Sequence, residues 1–145
     1  MVAMPDINTL IAAAWPNHIH HGLARSWITH ETVGGWATCP MTQAGFIRIS
    51  MNPKVVGSAV DFATAAAVLR RYTEDEHHCL WHGEATPTEW PEWLAFRVQG
   101  YRQVTDATLL ATAISNDGFL VSLDAGILTL LPDSERERVH VLVPA

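Results

Sequence analysis

Three aspartates have the type and placement to do chemistry in this sequence. Asp6 closes the apolar stretch of "VAMPD" and Asp124 closes that of "FLVSLD". Asp106 heads "DATLLATAIS", where Ala107, Leu110, Ala111 and Ile114 recur at helical spacing. A helix of about eleven residues leads ~17 Å away from Asp106. A turn at Asn116-Asp117-Gly118 reverses the chain, and a strand of about five residues returns a similar distance. Asp124 thus comes back to the edge from which Asp106 departs. Asp6 joins them if the first strand is parallel and central, because ligands of open parallel sheets bind at the carboxyl ends of the strands. Clustered carboxylates repel, by roughly 1 kcal/mol per pair at ~4 Å in water and roughly 4 at an effective dielectric of 20. A divalent cation neutralises them, and oxygen donors without Cys or His favour Mg²⁺ or Mn²⁺ over zinc. Such an ion holds phosphodiester oxygens and acidifies an attacking water. Taken singly, each Asp is a cap or turn residue; only the three in register argue for a metal.

The elements that must position them follow from periodicity. Val2–Asp6 reads as a strand and Ile7–Ala14 as a helix ended by Trp15-Pro16-Asn17. Asn17 is placed to cap a second helix with Ile19, Leu23 and Trp27 on its apolar face. Trp36–Cys39 is a strand, and Pro40 opens a helix with Met41, Ala44, Ile47 and Met51 on one face. Asp61 caps a helix carrying Phe62, Ala65, Ala66 and Leu69. Cys79–Trp81 is a strand, and Thr86 with Glu89 has capping-box spacing before Trp90, Trp93 and Leu94. Gly118 is placed to end the Asp106 helix in a left-handed conformation. Phe119–Leu123 and Val139–Val143 complete the strands. Strands alternating with helices predict an α/β fold, a three-layer α/β/α sandwich around a central, mostly parallel sheet. Without repeats or a linker, residues 1–145 read as a single domain.

Composition narrows the chemistry. The chain has 145 residues, 48% of them apolar and 17% charged, with nine Lys+Arg against fifteen Asp+Glu and a net charge of −6. It lacks the basicity that drives non-specific nucleic-acid binding. All the basic residues but Lys54 are Arg, which suits discrete bidentate contacts. No apolar stretch is long enough for a membrane span and no leader is evident, so a cytoplasmic protein is expected, with Cys39 and Cys79 reduced.

The segments "PDINTLIAAAWPNHIHH", "GWATCPMTQAGFIRISMNP", "VTDATLLATAISNDG" and "LVSLDAGI" stand in the order and near the spacing of the PIN-domain ribonucleases. Within that family, the chain resembles the VapC-type toxins of bacterial toxin–antitoxin systems. The resemblance covers nearly the whole chain. It implies Mg²⁺-dependent (or Mn²⁺-dependent) endonucleolytic cleavage of RNA, a cognate antitoxin as inhibitor, and pairing as a homodimer. Position by position, Asp6, Asp106 and Asp124 match the first, third and fourth family acids. Asn8, Thr105 and Ser122 match polar neighbours of those acids. The second acid is missing: Gln43 stands where close relatives often carry Glu, and Gly45 where more distant ones would. A Gln carbonyl can ligate Mg²⁺ but brings no charge, so weaker metal binding is expected, with Gln43→Glu tightening it. Glu31, Glu84 and Glu89 are the conceivable substitutes.

The remaining features have plainer roles. His18, His20 and His21, with His78 and His82, would make a zinc site only if brought together; ordinary surface and capping roles are the expectation. Arg48, Arg97 and Arg102 are candidates for RNA phosphate contacts, against simple surface solubility. A catalytically silent PIN fold that only binds antitoxin or RNA is the alternative function, motivated by the missing acid. "DINTL" as a degenerate phosphatase nucleophile motif is disfavoured, because Asn8 replaces its second Asp. Phosphate-binding GxxxxGK[ST] and GxSxG motifs are absent.

Overall fold

Alternation along the short strands sorts the core into two faces. In a computed structural model that describes residues 1–82 and 85–144, Met4, Ala37 and Leu120 pack in one apolar cluster and Ala3, Trp36 and Val121 in another. The strands are β1 (Ala3–Pro5), β2 (Trp36–Thr38), β3 (His78–Leu80), β4 (Phe119–Ser122) and β5 (Val139–Val141). They form one sheet in the order β3-β2-β1-β4-β5, with every pairing parallel. β1 is therefore central, and β4 is its direct neighbour, with Pro5 opposite Val121. That register sets the ends of both strands side by side.

Helices cover both faces. On the Trp36 side pack α1 (Ile7–Ala14), α2 (His21–His30), α3 (Pro40–Ser50) and α5 (Phe62–Thr73), with the short α4 (Pro53–Val56) after α3. On the Met4 side pack α6 (Glu92–Arg97) and α7 (Val104–Ser115), together with 3-10 turns at Ala125–Leu130. The α/β/α sandwich is the expected one. None of the described helices is long and apolar enough to cross a membrane.

Several local expectations are corrected. Asn17 does not cap α2; the Trp15-Pro16 break runs on through turns at His18 and His21, and Asn17 donates to the Val55 carbonyl instead (2.9 Å). Ile19 consequently precedes the helix and is 88% exposed. In α3 the buried positions are Thr42, Gly45, Phe46 and Ser50 rather than the Met41 face. The helix is wedged between α1 and α5, and its two buried hydroxyls are satisfied: Thr42 bonds Cys39, and Ser50 accepts from Trp15 Nε1. Phe62 is exposed although Ala65 and Leu69 are buried as expected. Thr86 makes no side-chain cap; a 3-10 turn at Pro87–Glu89 and then Pro91 lead into α6. The left-handed residue after α7 is Asp117 (φ 53°), not Gly118. Gly118 is needed for a different reason: a Cβ there would overlap the Val2 carbonyl and the Trp81 ring.

Candidate active site

Asp6 leaves β1 and caps α1. Its Oδ1 accepts from the Thr9 amide (2.9 Å) and the Thr9 hydroxyl (2.6 Å), and its own amide donates to Val121 (2.9 Å). The side chain is buried, with 6% exposure for the residue. Next door, Ser122 ends β4; its hydroxyl bonds the Asp6 carboxylate and accepts the Asp124 amide (3.0 Å). One hydroxyl thus ties the first acid to the backbone of the last. Asp124 is exposed and caps the following 3-10 turn, its Oδ1 accepting from Gly126 (2.8 Å). Asp106 lies in the first turn of α7, half-buried.

Electrostatics show that the three acids share one neighbourhood. Burial, with the charges of Asp6 and Asp124, pushes Asp106 up to about 6. Burial also raises Asp6, opposed by its bonds to Ser122 and Thr9 and reinforced by Asp124. Among the described residues, the ion pairs of Arg138 and His77 go elsewhere, to Asp117, Glu135 and Asp75. Unbalanced carboxylates with hydroxyls beside them and no sulfur or imidazole are the donor set of a hard divalent cation. Among the described residues, no three His, Cys, Asp or Glu side chains form a ready-made metal group.

The other predicted residues divide. Ser122 and Thr105 belong with the acids: Thr105 directly precedes Asp106 and shares a cavity with Ile7, which directly follows Asp6, and with Arg48. Asn8 is instead exposed and paired with His18 (3.2 Å). Gln43 is engaged at the end of β2. Its amide donates to the Thr38 hydroxyl (2.9 Å), which pairs with His78 Nε2 (2.8 Å), and it lines a groove between α3 and α5. At Gly45 the Ile7 side chain occupies the space of a Cβ, so an acid there would have to displace it. Glu31 ends α2 and Glu89 lies in an exposed 3-10 turn; Glu84 is outside the described residues. Arg97 donates to Trp93 within its own helix (3.1 Å). Arg102 sits just ahead of α7 with its guanidinium 5.7 Å from the Tyr101 ring centre.

The histidines do not assemble. His18 accepts from the His20 amide (3.0 Å), His21 bonds the Ala12 carbonyl (2.7 Å), and His78 is held by Thr38. Neither Cys39 nor Cys79 forms a disulfide among the described residues. Thr9, which holds the first acid most tightly, was not singled out from sequence; its spacing three residues after Asp6 is the N-cap signal that marks it.

No family model matches the chain. Curated relatives do, all from Mycobacterium tuberculosis. Ribonuclease VapC38 is 41% identical over 97% of this chain and 98% of its own length. Ribonuclease VapC39 is 39% identical over 88% and 91%, and Ribonuclease VapC44 is 35% identical over 98% and 100%. Similarity of that degree over nearly the whole chain places it in the VapC family of ribonucleases.

Proposed function

We propose that this VapC-family ribonuclease is the toxin of a type II toxin–antitoxin system, cutting RNA phosphodiesters at the edge where Asp6, Asp106 and Asp124 meet. The observation that carries this is a half-buried Asp106 pushed up to about 6 by burial first and by the charges of Asp6 and Asp124 second, with no basic side chain paired to it among the described residues. Mg²⁺, with Mn²⁺ as a substitute, would be held by these three carboxylates and supplies Lewis-acid charge at the phosphate together with a more acidic water. Asp6, clamped by Thr9 and Ser122, is the fixed ligand. Asp106 is the most adjustable, able to release its proton to bulk water when a cation arrives. Ser122 positions Asp6 and the Asp124 backbone, Thr105 lies at the rim, and Arg48 supplies positive charge for a substrate phosphate. Arg102 is a further phosphate contact.

Cleavage of RNA by the purified protein in Mg²⁺, lost in EDTA and in Asp106→Asn, tests this reading. The engagement of Gln43 with Thr38 motivates the alternative of a weak or silent fold that binds antitoxin or RNA without cutting. Metal-dependent cleavage abolished by Asp106→Asn excludes it. A cognate antitoxin, a homodimeric and single-domain state, and a cytoplasmic setting complete the proposal. Exposed Met51, Val55 and Phe62 on successive helical elements supply apolar surface for pairing.

A further inference from the structure

Beside the acids lies a cavity of about 460 Å³ whose walls are mostly apolar. Its lining includes Ile7, Met41, Ala44, Gly45, Arg48 and Thr105. Two of these residues are the chain neighbours of Asp6 and Asp106, so the cavity lies one residue along the chain from two of the acids. Its depth depends on Gly45. A Cβ at that position would force the Ile7 side chain to shift, so the bare backbone lets that side chain pack closely against α3 at the floor. The volume falls in the range of small-ligand sites, and the composition matches them: apolar walls with one charged group and one hydroxyl.

We propose that this trough is a subsite for one unpaired nucleobase of the RNA, held next to the cleaved phosphodiester, with Arg48 on the adjoining phosphate. The inference rests on the ribonuclease reading above and assigns residues that the acids alone do not. A base has flat apolar faces that such walls accept, whereas a phosphate would find little there besides Arg48. A base stacked inside a duplex cannot enter, so the trough selects single-stranded substrate. Ala44 is exposed on α3 at the cavity wall, so a large side chain there fills the trough without disturbing the core.

The experiment separates bases from phosphates. Binding of fluorescein-labelled oligoadenylate and oligouridylate 12-mers is compared with a wholly abasic ribose-phosphate 12-mer, lengths chosen as about one site. All measurements are made in Mg²⁺ on the Asp106→Asn protein, which leaves the RNA uncut. The expected result is a preference of about tenfold or more for at least one base-bearing strand, the scale of one base contact. Ala44→Trp should collapse that preference while the abasic strand binds as before, Ala44→Ser should retain it, and Arg48→Ala should weaken all strands together. An unchanged preference in Ala44→Trp, with its thermal midpoint also unchanged, overturns the subsite while cleavage by the unsubstituted protein leaves the ribonuclease reading intact. Failure of the unsubstituted protein both to cut and to bind any strand overturns both.

Discussion

Asp106 is the residue at which charge, burial and the proposed function meet. Its carboxyl is held at about 6, above the ordinary 3.8, so between those values the folded protein holds a proton that the unfolded chain has lost. Stability of the metal-free protein must therefore fall as pH rises through that window, the reverse of a salt-bridged aspartate. Asp6 is raised in the same direction and adds to the slope. Melting curves in EDTA from pH 4 to 8 should show this decline, and Asp106→Asn should flatten part of it. RNA cleavage should rise across the same interval, because a protonated carboxyl cannot hold a cation. A pH-independent melting midpoint in both proteins would remove the electrostatic basis of the site. Asp6 has a second duty as the cap of α1. Asp6→Ala should cost about 1 kcal/mol of stability, whereas Asp6→Asn retains the cap and loses only the charge. Urea titration of the two variants distinguishes capping from catalysis, since both should be inactive.

Two glycines show what the elements demand of the sequence. Gly118 lies against the Val2 carbonyl and Trp81, so Gly118→Ala should cost about 1–3 kcal/mol through overpacking where α7 turns into β4. Gly22, in the exposed first turn of α2, has open space around it, and Gly22→Ala should gain about 0.5–1 kcal/mol. Chemical denaturation reads both, and equal effects would contradict the packing assigned to Gly118. Neither contact is visible in the sequence, where both positions are simply Gly. What periodicity did disclose was the order of elements, the bounds of α1 and the cap at Asp61, all set by local signals. It failed where tertiary packing chose the face. α3 buries Thr42 and Ser50 because Cys39 and Trp15 bond them, and no hydrophobic pattern announces such partners. The site was legible in part: the return of the chain from Asp106 to Asp124 follows from element lengths, whereas Asp6 joins them only if β1 is parallel and central, a condition the strand order meets. The bond of Gln43 to Thr38, whose hydroxyl in turn pairs with His78 forty residues further along the chain, could not be seen.

Considered as a whole, the molecule must bind a polyanion while carrying a net charge of −6. A diffuse basic surface would solve this with a steep salt dependence, about −0.7 in log–log slope for each phosphate neutralised on a single strand. This chain has one Lys, and of its arginines only Arg48 shares the cavity beside the acids, with Arg102 a few residues ahead of Asp106. Two such contacts predict a slope of only about −1.5. The acids themselves repel the strand until a divalent cation reverses the sign of the field at that edge. Binding of single-stranded RNA to the uncut Asp106→Asn protein should therefore depend weakly on monovalent salt. In the unsubstituted protein, which can hold a cation fully, exchanging EDTA for Ca²⁺ should strengthen binding by about tenfold or more, equivalent to about 1.4 kcal/mol. Filter binding across a series of KCl concentrations, with and without the cation, gives both quantities. A slope steeper than about −4 that persists in EDTA would mean that RNA is held by scattered basic groups on another surface, and the carboxylate edge would lose its claim to the substrate.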